Sequence, residues 1–371
     1  MADRLDELES ATDDLRTGTT DFLVTGYATS GFTSNEDGTS SFDASFNPIF
    51  LWKLSDRLSF SGELEFELGE SDNSVTGSSD NTEVNLEFME ISYVINDYLT
   101  FRAGKILTPF SFFKENLHPT WINKLPDQPL FADGGARLIP TSSLAFELRG
   151  GAPINDSMRV FYSAYVANGP KLVTDPTSSQ AGQLNFGNFS DVNSNKTIGG
   201  RIGMFITPEL DVTYAFNYGD AGARGTAFKD VSALLQDISI SYVVEKDEIG
   251  GRLEARAEYV HSDVDDSTIG GVLFDNTRSG GYAQVSYRPT LSSSAFKDFE
   301  GVFRFDWLDN PSSAGAASRS YDEQRYTLGL NYWVSPSTVF KAAYQFDNIN
   351  NDPTSSQNGN DALLLQVAMG F

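Results

Sequence analysis

Cysteine is absent from the 371 residues. That excludes a disulfide framework, a thiolate metal site and a cysteine nucleophile. Long apolar runs are absent too. No stretch approaches the roughly 18 apolar residues of a membrane-spanning helix. Histidine occurs only as His118 and His261, far apart, and neither an HExxH nor a GxSxG motif is present. Nothing pairs either histidine with a serine and an acid, so no enzyme chemistry, metal or cofactor is called for. Positive charge is scarce: 26 basic residues face 51 acidic ones, a formal net charge of −25. Such a chain disfavours nucleic acid as a partner.

What the chain does have is aromatic and glycine content, with 28 Phe, 15 Tyr and 32 Gly. Its last stretch, DALLLQVAMGF, alternates strictly. Leu363, Leu365, Val367, Met369 and Phe371 share one face, and mostly small or polar residues share the other. A period of two is a strand with one greasy side. The aromatic ending resembles the terminal signal of bacterial outer-membrane proteins. No export leader is recognisable, and Met1–Ala2–Asp3 reads as a mature start with an added Met, so export is inferred from the strand pattern.

Residues 3–16 place Leu5, Leu8, Thr12 and Leu15 at spacings of three, four and three. That is a short heptad seam with charged flanks. Segment 1–20 is expected to be a helical or coiled-coil piece, either a frayed tail or a tie between chains. From residue 21 the chain reads as strands at 21–32, 42–53, 58–68, 82–95, 98–104, 143–150, 157–167, 196–206, 209–218, 231–244, 250–261, 278–288, 298–308, 324–334, 338–347 and 361–371. The alternation slips near Phe88–Glu90, which predicts a bulge. Seven mostly short turns alternate with eight longer connections. This asymmetry predicts an all-β fold over 21–371: a sixteen-stranded antiparallel transmembrane β-barrel in the bacterial outer membrane. Trp52, Tyr98, Trp307, Tyr332, Trp333 and Phe371 fall near strand ends, as a girdle of interfacial aromatics requires.

Parity sorts the charges. Leu253, Ala255, Ala257 and Tyr259 face lipid, so Arg252, Glu254, Arg256 and Glu258 face the lumen. The same parity turns Arg102, Arg201, Arg304, Asp306, Arg325 and Lys341 inward, with Glu63, Glu65, Glu67, Glu83 and Glu87. A charged inner face implies water, and sixteen strands leave room for it. The connection 105–142 is the longest and too apolar for a free loop: Phe110, Phe112, Phe113, Trp121, Leu125, Leu130 and Phe131 need burial. It is expected to fold inward as a constriction, with an external cap as the alternative. Its charged and titratable residues are Lys105, Lys114, Glu115, His118, Lys124, Asp127, Asp133 and Arg137, a slightly basic set in an acidic chain. The acidic excess lies largely in other loops. Solvation is their ordinary role, and divalent cations shared with lipopolysaccharide are the alternative.

The stretch RAGKILTPFS at 102–111 resembles the phosphate-selective porin O and P family, in which a glycine-bearing strand end leads through Thr-Pro-Phe into the constriction loop. The resemblance implies a trimeric sixteen-stranded porin with its third loop in the pore. Phosphate selectivity in that family depends on clustered lysines and an arginine ladder. Here acids interleave Lys105, Lys114 and Lys124, and Glu and Asp accompany the wall arginines. The reading is a passive pore for small hydrophilic solutes or ions, set in a lipid bilayer. The alternatives are an anion or phosphate channel, and a plugged barrel serving as anchor or receptor.

Overall fold

A computed structural model describes residues 21–36, 38–71, 79–132, 137–178, 180–187, 189–290, 298–309, 322–350 and 361–371. The expected seam at 1–20 and Asp133 lie outside the described residues. The strands are β1 (Phe22–Asn35), β2 (Ser40–Lys53), β3 (Leu58–Ser71), β4 (Ser79–Asn96), β5 (Leu99–Leu107), β6 (Ser142–Pro153), β7 (Arg159–Ala167), β8 (Lys171–Leu172) and β9 (Leu184–Asn185). They continue as β10 (Thr197–Thr207), β11 (Leu210–Asp220), β12 (Ser232–Lys246), β13 (Gly251–Ile269), β14 (Val272–Pro289), β15 (Phe299–Asp309), β16 (Asp322–Ser335), β17 (Thr338–Asn350) and β18 (Ala362–Gly370). All but β8 and β9 form one closed antiparallel barrel of sixteen strands, and those two make a small sheet of their own. Each strand predicted from alternation is present.

The barrel closes where β1 meets β18, in register from Tyr27 opposite Gly370 to Asn35 opposite Ala362. Closure pairs every strand edge, which hydrocarbon demands because it offers no hydrogen bonds. At the seam the Phe371 amide donates to the Gly26 carbonyl at 2.9 Å, and the Gly26 amide donates to the Phe371 carbonyl at 3.1 Å. The Phe371 ring stacks on Phe46 at 5.6 Å. Gly26 sits at φ +152°, and a Cβ there would lie 2.2 Å from the Asn47 carbonyl oxygen. Only glycine allows β1 and β2 to approach so closely.

The outer face is apolar. Phe146, Ile202, Ile238, Leu328, Leu330 and Phe340 stand exposed on it. Trp52, Tyr98, Tyr332 and Phe371 also point outward, as a girdle should. Trp333 does not. It is buried in the lumen and its indole N–H donates to Glu300 at 2.9 Å, because it shares parity with Asn331 rather than Tyr332. The expected bulge is real: Glu63 pairs with Phe88 but Leu64 pairs with Leu86, leaving Glu87 extra on β4.

Some connections read as loops are strand. Residues 33–41 are mostly hairpin, and only 36–39 connect β1 to β2. Residues 262–277 are the outer ends of β13 and β14, joined at Gly270–Gly271 with φ +59° and +86°. Two positive φ values in a row give the primed turn that a tight hairpin uses. The long connection also shortens. β5 runs to Leu107 and β6 begins at Ser142, so Lys105 belongs to a strand and the loop spans 108–141.

Candidate functional site

Loop 108–141 enters the lumen through a narrow neck. The Thr108 amide donates to the Thr141 carbonyl at 3.0 Å, and the Thr108 and Ser143 hydroxyls meet at 2.8 Å. It then makes the short helix α1 (Phe112–Asn116), capped by Ser111, whose oxygen accepts from the Lys114 amide at 3.2 Å. The Ser111 hydroxyl donates to Glu258 at 2.6 Å, and the Phe113 amide donates to the other Glu258 oxygen at 3.0 Å. One wall carboxylate thus satisfies both the cap and a free helix N–H.

Most of the apolar residues that demanded burial find it in one cluster, while Leu125 packs on Val302 and Ala343 and Trp121 against Trp333 and Val339. Phe110, Phe113, Leu117, Leu130, Phe131, Leu138 and Ile139 form one cluster with Ala215, Leu235, Val260, Tyr282 and Leu308 of the wall. Phe131 stacks on Tyr282 at 6.1 Å, and Phe113 meets the same ring edge-on at 6.2 Å. The cluster continues upward into Val264, Ile269 and Phe274 of the β13–β14 hairpin. The loop therefore packs against inward-facing residues of the wall.

Charged side chains pin the rest. Asp127 accepts from Arg304 at 2.6 Å, from Gln345 at 2.6 Å and from Arg325 at 3.3 Å. Arg304 is fully buried, and it also holds Asp306 at 2.7 Å and the Gln128 carbonyl at 3.1 Å. Arg325 forks onto Asp347 at 2.6 and 2.9 Å. Lys124 lies 2.9 Å from Glu300, 3.2 Å from Glu254 and 5.2 Å above the Trp333 ring. The Lys341 ammonium donates to Gln366 at 2.9 Å and to the loop carbonyls of Leu125, at 3.3 Å, and Thr120. Glu115 takes Arg149 at 3.1 Å and also contacts Arg201. The His118 Nδ1–H donates to the Lys114 carbonyl at 2.6 Å. Burial pushes the His118 imidazole down to about 4, and the Lys114 ammonium pushes the same way.

The predicted wall residues all face inward, yet most lie beneath or against the loop. Arg256 and Arg252 both hold Glu254, at 3.0 and 2.8 Å, and only Arg252 is half exposed. Arg102 bridges Glu90 at 2.8 Å and Glu147 at 2.6 Å within the β4–β6 wall. Acids without a salt-bridge partner among the described residues lie elsewhere, on β3 and β4. Glu65, Glu83 and Glu87 line a cavity of about 320 Å³ with Asn85, Lys105, Arg137 and Phe189. Deeper on the same wall, the Tyr27 hydroxyl donates to Glu63 at 2.8 Å, and Asn47 bridges Tyr27 and Glu65. Parity placed these acids in the lumen. What it could not show is that the loop covers the opposite side and leaves them open.

A closed sixteen-strand barrel, apolar outside, with a charged inner face and a loop packed against it, is the architecture of an outer-membrane porin. The chain belongs to the family described as phosphate-selective porin O and P, which it matches over residues 53–371. Solved porins share the fold. The high-pH structure of OprB from Pseudomonas putida is similar at 13% identity and TM-score 0.59, over 99% of this chain and 97% of that one. The anion-selective porin from Comamonas acidovorans is similar at 11% identity and TM-score 0.56, over 94% and 99%. Salmonella typhi OmpF, in its complex with daunomycin, is similar at 13% identity and TM-score 0.58, over 94% and 97%. No protein of curated function matches the sequence.

Proposed function

We propose that small hydrophilic solutes and ions cross passively between the loop and the β3–β4 wall, with a preference for cations. The protein does no chemistry, and three copies assemble in the membrane. The observation that carries the selectivity is the distribution of partners. Arg102, Arg201, Arg256, Arg304, Arg325, Lys124 and Lys341 are each matched to a carboxylate or to carbonyl oxygens, and several anchor the loop. Glu65, Glu83 and Glu87 face the cavity. Selectivity in a pore follows the charge its lining presents to the passing ion. Phosphate preference in the family is thereby set aside for this chain. Trimerisation is supported by the trimer form of OmpT from Vibrio cholerae, a structural neighbour at 11% identity and TM-score 0.54.

The test is single-channel recording in planar bilayers under a salt gradient. An open conductance with a cation-selective reversal potential is expected. Replacing Glu65, Glu83 and Glu87 together by Gln should move the reversal potential toward anions. Strong anion selectivity, with phosphate blocking chloride current, would overturn the reading. Cross-linking in native membranes should trap three copies, and a monomeric band alone would reject the trimer.

A further inference from the structure

We infer that the cavity beside the constriction is a binding site for small zwitterions carrying one ammonium and one carboxylate, the charge pattern of a free α-amino acid. The inference rests on the porin reading and names a solute class for the same passage. Charges of both signs line one cavity: Glu65 on β3 and Glu83 and Glu87 on β4, with Lys105 on the neighbouring β5 and Arg137 of the loop. Its volume of about 320 Å³ sits at the small end of the roughly 300–1,000 Å³ typical of small-molecule pockets.

The two cations are not consumed by the acids. Lys105 is within electrostatic reach of Glu65, Glu87 and Arg137, yet its ammonium is steered elsewhere. It donates to the Leu86 carbonyl and lies 5.1 Å above the Phe189 ring. An ammonium has three donors, so this tether leaves donors for a ligand carboxylate. Arg137 brings the planar fork that pairs best with a carboxylate. On β4 Glu83 accepts from Asn85 at 3.1 Å, which orients that carboxylate. A ligand ammonium can then meet oxygens on two strands at once.

The same arrangement disfavours the simpler ions. A phosphate at Lys105 and Arg137 would be held against three carboxylates, and like charges at such range repel. A simple cation at the acids would leave the two basic groups unanswered. A zwitterion answers both sets with no net charge added to the cavity.

Current block by L-serine at neutral pH in planar bilayers tests this. Serine is expected to block in a concentration-dependent way. Serine methyl ester, which lacks the carboxylate, and N-acetylserine, which lacks the ammonium, should each block at least tenfold more weakly. Glu87→Gln and Arg137→Gln should each raise the half-blocking concentration of serine about tenfold, measured against each variant's own open-channel current, with heat-modifiable gel mobility preserved. Lys105→Met gives a second reading on the basic side. Failure of serine to block, or block by the ester equal to serine and indifferent to Arg137→Gln, overturns the inference. So does tighter block by inorganic phosphate that depends on Lys105 and Arg137 but not on Glu87. Absence of any conductance in potassium chloride alone would instead defeat the porin reading.

Discussion

At the scale of single residues, Asp127 is the position on which the constriction depends most. It lies 177 residues before Arg304, and no local pattern announces that they meet. Parity turned Arg304, Arg325 and Lys341 inward and so identified their face. It could not name their partners, because partners across a barrel are set by closure and not by spacing. Removing one member of a buried ion pair costs about 3–5 kcal/mol, since the other is left charged and unpaired. Asp127→Asn is therefore expected to release the loop tip while the barrel stays closed. Larger, noisier single-channel currents with unchanged heat-modifiable mobility would report this, and currents identical to wild type would reject it. His118 adds a pH dependence. Its folded value of about 4 lies below the ordinary 6.5, so the neutral ring stabilises the loop above about pH 6.5. That contribution drains away as the pH falls toward 4, at roughly 1.4 kcal/mol per unit of displacement. Hydrogen exchange of 112–125, corrected for intrinsic rates, should accelerate over that window in wild type and stay flat in His118→Gln.

At the scale of elements, the sixteen strands were legible because lipid on one face and water on the other enforce a strict period of two. That pressure ends where the barrel leaves the membrane. The outer ends of β13 and β14, SDVDDSTI and VLFDNT, carry apolar residues inward at Val264, Ile269 and Phe274, but four acids are interspersed and the pair looks like a loop. The double glycine between them was the available signal for a tight hairpin. This hairpin covers the loop from above. The Asn276 amide donates to the Gly182 carbonyl at 2.8 Å, and a Cβ on Gly182 would strike the Phe274 ring at 1.9 Å. Phe274 is 4% exposed, and truncating a buried Phe costs about 3–5 kcal/mol. Phe274→Ala should thus raise hydrogen exchange in 262–277 and in 171–185, with the barrel strands below unaffected. Exchange rising equally in β5 or β16 would show that the hairpin supports the whole barrel.

At the scale of the whole molecule, two populations of acid act over different ranges. The formal charge is −25, and much of it lies in connections outside the barrel wall. Those charges attract cations to the pore mouth only within a screening length, about 10 Å at 0.1 M salt and 3 Å at 1 M. Acidic outer loops opposed by a slightly basic sequence from 105 to 140 suggest a cation preference that fades or reverses as salt rises. The cavity wall argues otherwise. On the proposed route Glu65, Glu83 and Glu87 line the cavity an ion would cross, closer than any screening length. Reversal potentials measured from 0.1 to 1 M at a fixed gradient should shrink and keep their cationic sign. Neutralising Glu83 and Glu87 should leave a preference at 0.1 M, supplied by the outer loops, and remove it at 1 M. Neutralising acids at the outer strand ends, Asp265 and Asp275 among them, should do the reverse, weakening the low-salt preference and sparing the high-salt one. A reversal to anion preference at 1 M in the unaltered protein would mean that Lys105 and Arg137, not the carboxylates opposite them, set the field in the constriction.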